Sequence, residues 1–516
     1  MSEAPLGRLV RWAVTAGAFG ALAAIAAATA WFAEHAVFAK WWPAAGLAWA
    51  AGWLAWRLAG GRGLAMWRRA AWPKWVLPVG LFAVFFAVKT VFAFYLKTEQ
   101  QSDFLVMYQA AQSIAEGDFS FSQSAYWHFF AYQTPFALYQ ALMLKVFGGS
   151  IAPLLVVGAL AMAGTNLLVF LIGRRITGSA VAGLFASFAY LAYPGPYLQA
   201  NALTNDHLSA CLLYLGAYLV VAGASRPPSR PARPRWALVA VGALVLQLGN
   251  LARPSGIVVV AALVAALVAA PIIGRRRKGS WRPLAASAAA AALAVAVYAG
   301  AGAAADQAVK AAGVNPAGTA NNLPEWKFVF GLQGSWEQGR QDSADIGAYD
   351  PSPKPDARQI ARAAVERDLR QLPQTWRTVL HRQVTSLWVL NESGSYLYWP
   401  QFEGRYRYQV PSAQAFTLGH YLVLGERGAF LPAVLLAAAG VGLLGRRRRW
   451  GALAAFAACL VAAYALVHLA IEVQPRYRYL VMPAVFALTA PAWDWLAGWP
   501  RRARLKPTRS APNRRW

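Results

Sequence analysis

Apolar runs of roughly 17 to 25 residues recur along this chain, each long enough to cross a hydrocarbon core as a helix. They fall at about 8–32, 36–59, 75–96, 151–173, 179–197, 206–223, 236–252, 254–273, 283–303, 427–444, 449–470 and 478–497, which predicts about twelve membrane helices. Arg8 and Arg11 precede the first run as they would in a signal peptide, but its apolar length argues for a retained helix. One interval breaks the pattern. From Ser102 to Gly148 the chain is aromatic and semi-polar, and Phe104, Met107, Tyr108, Ala111, Ile114 and Ala115 recur at spacings of three and four. That spacing predicts an amphipathic helix along the bilayer surface, headed by Asp103.

A second interval, about 304–426, is too polar to cross. From Asn315 to about Tyr349 it reads as a Gly- and Asn-rich loop carrying Trp326, Trp336, Glu325, Glu337, Asp342 and Asp345. After Pro355 the pattern predicts two amphipathic helices separated near Pro373. The whole is an all-α polytopic membrane protein in four parts. Residues 1–74 hold two N-terminal membrane helices and a cytosolic loop, and 75–303 a membrane core with the outer loop 97–150. Residues 304–426 form a small extracytoplasmic cap, and 427–516 the last helices with a basic tail.

Composition agrees, with 58% hydrophobic residues and a mean hydropathy of +0.37. Twenty-three Trp suit interfacial belts. A net charge of +28 invites a nucleic-acid reading, but the Lys and Arg sit in alternate short loops and in the tail, as the positive-inside rule requires. The pattern describes a multi-pass membrane protein with both termini in the cytosol, and it leaves no role for nucleic acid. Cys211 and Cys459 both fall inside predicted helices, as small core residues. With no HExxH or Cys/His cluster, a divalent metal has no support in the sequence.

The unusual charges collect on the other face. Asp103 opens the first outer loop, Asp206 and His207 begin a helix, Arg253 ends one, and Glu472, Arg476 and Arg478 flank the final crossing. Charges at helix ends are costly beside lipid unless they line a wet cavity, so a shared outer-leaflet cavity is expected. Lys89, inside the third run, is expected to snorkel towards the interface. Asp103 and Asp206 would each serve equally well as helix caps.

The order of these features resembles the GT-C membrane glycosyltransferases, in particular the protein O-mannosyltransferase and aminoarabinose-transferase branch and its bacterial relatives. The residues that carry the likeness are Asp103 in SDF, Gly117 and Asp118 ending the amphipathic helix, Tyr132 and Pro135, and Phe147 and Gly148. They continue with NALTNDH at 201–207, Arg253–Pro254, an FGLQ-type loop around Gly331, and Pro475 to Tyr477. The likeness spans about 75–497, leaving the first two helices unassigned, and the first loop lacks an Asp-x-Asp.

The resemblance implies transfer of a sugar from a polyprenyl-phosphate donor to an acceptor hydroxyl on the extracytoplasmic side, with inversion. The acceptor would be a glycan, a lipid or a protein. One carboxylate then suffices as general base, because phosphate leaves without a strong acid. Asp103 is the expected base, with Asp206, Tyr108, Glu472 and Trp326 as substrate or acceptor contacts. Arg253, Arg476 and Arg478 are the expected partners of the donor phosphate, since guanidinium forks suit phosphate oxygens. A lipid transporter or scramblase is the rival reading, weakened by the lack of a visible repeat. A non-catalytic subunit of an envelope glycan assembly would share the fold.

Overall fold

A computed structural model describes residues 5–32, 73, 75–96, 100, 102–224, 235–274, 280–389, 413–448 and 450–503. In chain order the helices are α1 (Pro5–Phe32), α2 (Val76–Tyr95), α3 (Ser102–Glu116), α4 (Ala125–Phe129), α5 (Thr134–Val146), α6 (Ala152–Thr177), α7 (Ala180–Ala192), α8 (Gly195–Leu198) and α9 (Asp206–Ala224). They continue with α10 (Trp236–Ala252), α11 (Gly256–Gly274), α12 (Arg282–Ala311), α13 (Trp326–Leu332), α14 (Trp336–Ile346), α15 (Ala357–Val384), α16 (Ala413–Arg447), α17 (Ala452–Val467) and α18 (Met482–Ala503). The described residues contain no strand.

Among the described residues, seven helices have the length and apolarity to cross a membrane: α1, α2, α6, α9, α11, α12 and α16. α10 and α17 are shorter apolar helices. The helix expected at 36–59 lies outside the described residues. The run at 179–197 is not one crossing helix: α7 stops at Ala192 and α8 is a separate turn after Pro194. Proline before α8 favours an extended residue ahead of it, and Tyr193 has that conformation, with φ −73° and ψ 120°.

A large apolar core runs through the bundle, from Leu22 of α1 through Val169, Leu213, Leu246, Val259 and Val434 to Phe486. Bare backbone brings α9 and α10 together: a methyl on Gly216 would stand 2.6 Å from the carbonyl oxygen of Gly242. Small residues allow this approach, and in a bilayer such close van der Waals packing is what holds helices together. Exposed Val79, Val84 and Val91 on α2 and Ile257 on α11 form apolar outer surface. Lys89 does not snorkel. It is fully buried, with its ammonium 3.6 Å above the Tyr197 ring. A cation–π contact and protein neighbours replace the interface there.

A second core lies at one end of the bundle. Phe104, Met107, Tyr126, Trp127, Phe130 and Phe136 of the first polar interval pack against Leu323, Trp326, Val329, Ile346, Ala357 and Ala361 of the second. The two polar intervals thus bury each other's apolar faces, which explains why neither needed to be apolar throughout. The 315–349 stretch is more ordered than its composition suggests: α13 and α14 occupy most of it, and the FGLQ segment sits at the end of α13 instead of in a loop. Ser335 caps α14 by accepting from the Gln338 N–H.

The two helices expected around Pro373 are one, α15, with Pro373 inside it. Proline there leaves the Leu369 carbonyl without its intrahelical donor, but a buried face at Ala357, Ala361, Ala364, Asp368, Val379 and Gln383 continues on both sides. Tertiary packing overrides the breaker.

Candidate active site

The site forms where helix ends meet. α2 ends and α3 and α9 begin there, α10 and α17 end there, and α13 and the turn at Pro475–Leu480 close it. Three carboxylates and three cations face one another as pairs. Arg476 Nη2 donates to Asp103 Oδ2 at 2.7 Å, Lys327 Nζ meets Glu472 Oε2 at 2.5 Å, and Arg253 Nη1 is paired with Asp206 Oδ1.

One phenol ring is common to all three cations. The Arg253, Lys327 and Arg476 charges stand 4.8, 5.6 and 5.8 Å from the centroid of Tyr477. The negative face of an aromatic ring favours such neighbours, and the carboxylates offset the repulsion among them. Burial raises the Tyr477 hydroxyl, with Glu472 adding to it, to about 12, so it stays a neutral phenol.

Each carboxylate is held differently. Asp206 also accepts from the Thr204 hydroxyl at 2.9 Å, and its side chain is only 4% exposed. Glu472 accepts from Gln474 Nε2 at 2.8 Å, while its backbone N–H donates to the Lys327 carbonyl at 2.6 Å. Asp103 has the most open side chain of the three, at 29%. Among the described residues it accepts, beyond Arg476, only from the Tyr126 hydroxyl, at 3.1 Å, and no backbone N–H of α3 donates to it. It heads the helix without capping it. Tyr126 is fixed in turn by a bond from Gln133 and by stacking on Tyr349 at 5.9 Å.

Burial alone would raise the Asp103 carboxyl, but the Arg476 guanidinium beside it, then Lys327 and Tyr126, bring it below the ordinary carboxylate value. Glu472 is likewise held low by Lys327 and Gln474 against its burial. Burial pulls the Lys327 ammonium down, and Glu472, Tyr477 and Tyr132 push it well above the usual lysine value. Asp103, Glu472 and Lys327 are therefore charged at neutral pH.

Of the residues singled out from sequence, Asp103, Asp206, Arg253, Glu472 and Arg476 come together here. Arg478 does not. It is buried on the bundle side of the same turn, paired with Glu426 and donating to the Trp388 carbonyl at 3.2 Å, with its guanidinium 4.7 Å from the Phe430 ring. A 3₁₀ turn rotates about 120° per residue, so positions 476 and 478 face apart. Tyr108 packs in a satellite cluster with Ala111, Ala141 and Leu155, away from Asp103. Trp326 is a buried packing ring against Phe330 and Phe130, 6% exposed, one layer behind the charges. The acids of the second interval are also engaged elsewhere, Glu325 with Arg358 and Arg362 and Asp342 with Arg367.

Lys327 and Tyr477 were not singled out as site residues by sequence reasoning. A signal existed for Lys327: it is a charged residue in EWKFVFGL, where Val329 and Leu332 point into the core on its own helix. Among the described residues no three His, Cys, Asp or Glu side chains gather as a metal site.

Gly331 sets the position of this wall. A methyl group there would stand 2.2 Å from the Ala470 carbonyl oxygen and 2.7 Å from the Ile471 carbonyl carbon, so the backbone of α13 lies directly on the 470–472 segment. Gly331→Ala is expected to cost about 1–3 kcal/mol as an overpacking change. It should also speed amide exchange at Glu472, whose N–H bond to Lys327 the shift would stretch. Unaltered exchange and melting would show that the segment yields freely.

An all-helical membrane bundle with an ion-paired site at one end defines the class. Residues 133–299 match the sequence profile of the dolichyl-phosphate-mannose-protein mannosyltransferase family, a segment that carries Asp206 and Arg253 but neither Asp103 nor the 472–476 turn. That segment lies within residues 75–497, over which the sequence pattern resembles the GT-C membrane glycosyltransferases. Two solved structures are similar over most of their length. ArnT from Cupriavidus metallidurans bound to undecaprenyl phosphate is 14% identical, with 84% of this chain and 81% of that one covered at a TM-score of 0.35. The same protein in the apo state is 15% identical, with 83% and 79% covered, also at 0.35. Superposition that loose leaves the fold above to stand on its own elements. No curated protein sequence matches.

Proposed function

We propose that the protein is a membrane glycosyltransferase that moves a sugar from a polyprenyl-phosphate donor to an acceptor hydroxyl at the extracytoplasmic membrane surface, with inversion at the anomeric carbon. The observation that carries this reading is the composition of the site: one open carboxylate, Asp103, beside three cations grouped on Tyr477. A displacement of this kind needs one base for the acceptor proton and positive charge for the leaving phosphate, and the site offers both. The name of the matching family, which specifies a dolichyl-phosphate-linked sugar, points to the same donor chemistry.

In this reading Asp103 removes the acceptor proton, while Arg476 binds the phosphate oxygens beside the paired Lys327 and Arg253. Asp206 and Glu472 hold Arg253 and Lys327 in place. Tyr349, 67% exposed and stacked on Tyr126, offers a ring face beside Asp103 for the acceptor. Arg174 and Arg175 in the last turn of α6 and Arg446 and Arg447 in the last turn of α16 support an extracytoplasmic site by the positive-inside rule.

The direct test is reconstitution in liposomes with labelled polyprenyl-phosphate sugars and a cell-envelope acceptor extract. Label is expected in a glycosylated product, whose isolation identifies the acceptor. Donor binding without any transfer to the extract would overturn the enzymatic reading in favour of a non-catalytic assembly subunit.

A further inference from the structure

Within the site the protein matches its own charges, three carboxylates against three cations. An anionic headgroup entering such a site meets no spare positive charge among these pairs. To bind, it must displace a carboxylate from its partner, because a second anion on a shared cation in a partly desolvated pocket is repelled by the first.

The three pairs are not equally able to yield. Asp206 is closed in, with Thr204 as a second partner. Glu472 is tied to Lys327 twice, through the side chains and through the backbone, and to Gln474 as well. Asp103 is the most open, and among the described residues the Tyr126 hydroxyl is the only hydrogen-bond donor left to it after Arg476 is gone. Arg476, by contrast, is fixed independently of Asp103. Its Nε donates to Gln474 Oε1 at 2.7 Å, and its guanidinium lies 4.8 Å from the Phe104 ring and 5.8 Å from Tyr477. Among the described residues no protein group accepts from its Nη1. Arg476 can therefore change partners without moving.

We propose that the Asp103–Arg476 ion pair is a resting lock that a phosphate headgroup opens: the phosphate takes Nη2 and Nη1 of Arg476, and Asp103 is released to face the acceptor. The inference rests on the glycosyltransferase reading and adds an order to it. Before the donor arrives the base is neutralised by its neighbour. Once the phosphate holds Arg476, the carboxylate recovers its basicity beside the acceptor hydroxyl. Proton removal is thereby coupled to donor occupancy, which limits idle encounters between the base and hydroxyl groups at the membrane surface.

The lock makes Asp103 a competitor of the donor phosphate, so removing its charge should improve phosphate binding. The test measures affinity of the full-length protein in nanodiscs for a ten-carbon isoprenyl phosphate. Asp103→Asn is expected to tighten binding about tenfold, the scale of one close charge pair at a partly open site. Arg476→Gln is expected to weaken it by a similar factor. The double variant should lose the gain, since without the Arg476 guanidinium there is no contested cation for the loss of the Asp103 charge to free. Asp103→Ser serves as a second variant of the same sign if the Asn form does not fold. Unchanged or weaker binding by well-folded Asp103 variants would overturn the lock while leaving the enzymatic reading intact. No isoprenyl-phosphate binding by the wild type would overturn both. Inorganic phosphate is expected to compete only at concentrations at least about a hundredfold higher, since it lacks the lipid's apolar contribution. Equal competition would overturn the assignment to a lipid-borne headgroup.

Discussion

Asp103→Asn is expected to reduce sugar transfer by about 10²- to 10⁴-fold, the usual worth of a positioned general base, in a protein that melts close to the wild-type temperature. The substitution keeps the shape of the side chain and an oxygen to accept from Tyr126. It removes the charge that neutralises Arg476, but at a position open enough for water to compensate part of the loss. Transfer measured in liposomes alongside thermal unfolding separates the two effects. Full activity in the Asn variant would return Asp103 to a structural role and move the base to Glu472 or Asp206. The expected tightening of isoprenyl-phosphate binding in the same variant makes the pair of results hard to mimic by misfolding.

The largest effect on stability is expected two residues from Arg476, at a side chain outside the charged cluster. Arg478 is 2% exposed and Glu426 is fully buried, and Tyr193 also donates to that carboxylate at 3.1 Å. Arg478→Ala takes the guanidinium from a carboxylate buried in the bundle and removes a donor from the Leu387 and Trp388 carbonyls. Breaking one side of such a buried pair costs about 3–5 kcal/mol. Replacing both partners together, as Glu426→Gln with Arg478→Met, should recover much of that, because no bare charge remains. Melting in detergent of the two singles and the double decides it. A single variant as stable as the wild type would show the pair to be dispensable. Activity should follow stability here, since the turn that carries Arg478 into the bundle also carries Arg476 and Tyr477 into the site.

How far the sequence reveals this arrangement depends on the kind of contact. Long apolar runs identify the seven described helices that are long and apolar enough to cross, because length and hydropathy are properties of a single segment. Charges at helix ends identify most of the site for a related reason: Asp103, Asp206, Arg253, Glu472 and Arg476 are expensive there and must be used or paired. What one segment cannot show is its partner. Lys327 reads as an ordinary loop lysine until Glu472, 145 residues later, is seen to hold it. Tyr477 reads as an interfacial aromatic until three distant cations are found on its ring. Arg476 and Arg478 look alike at i and i+2, and an extended chain would aim them together, whereas the 3₁₀ turn separates them. Pro373 misleads in the opposite direction, because local helix breaking is outweighed by a buried face that only the folded chain provides.

The seam at Gly331 has a pharmacological side. Arg382 and Gln383 of α15 both donate to the Gly331 carbonyl, at 2.9 and 2.6 Å, and Gln383 reaches the Ile471 carbonyl at 3.0 Å. The segment between the helical crossings is therefore bolted to the stretch of backbone that presents Glu472, a few residues from Arg476. An antibody fragment or small molecule that wedges α15 away from this seam would pull the charged cluster apart without entering it. For the proposed transfer, inhibition of that kind would be non-competitive with donor and acceptor and would need no ligand that resembles either.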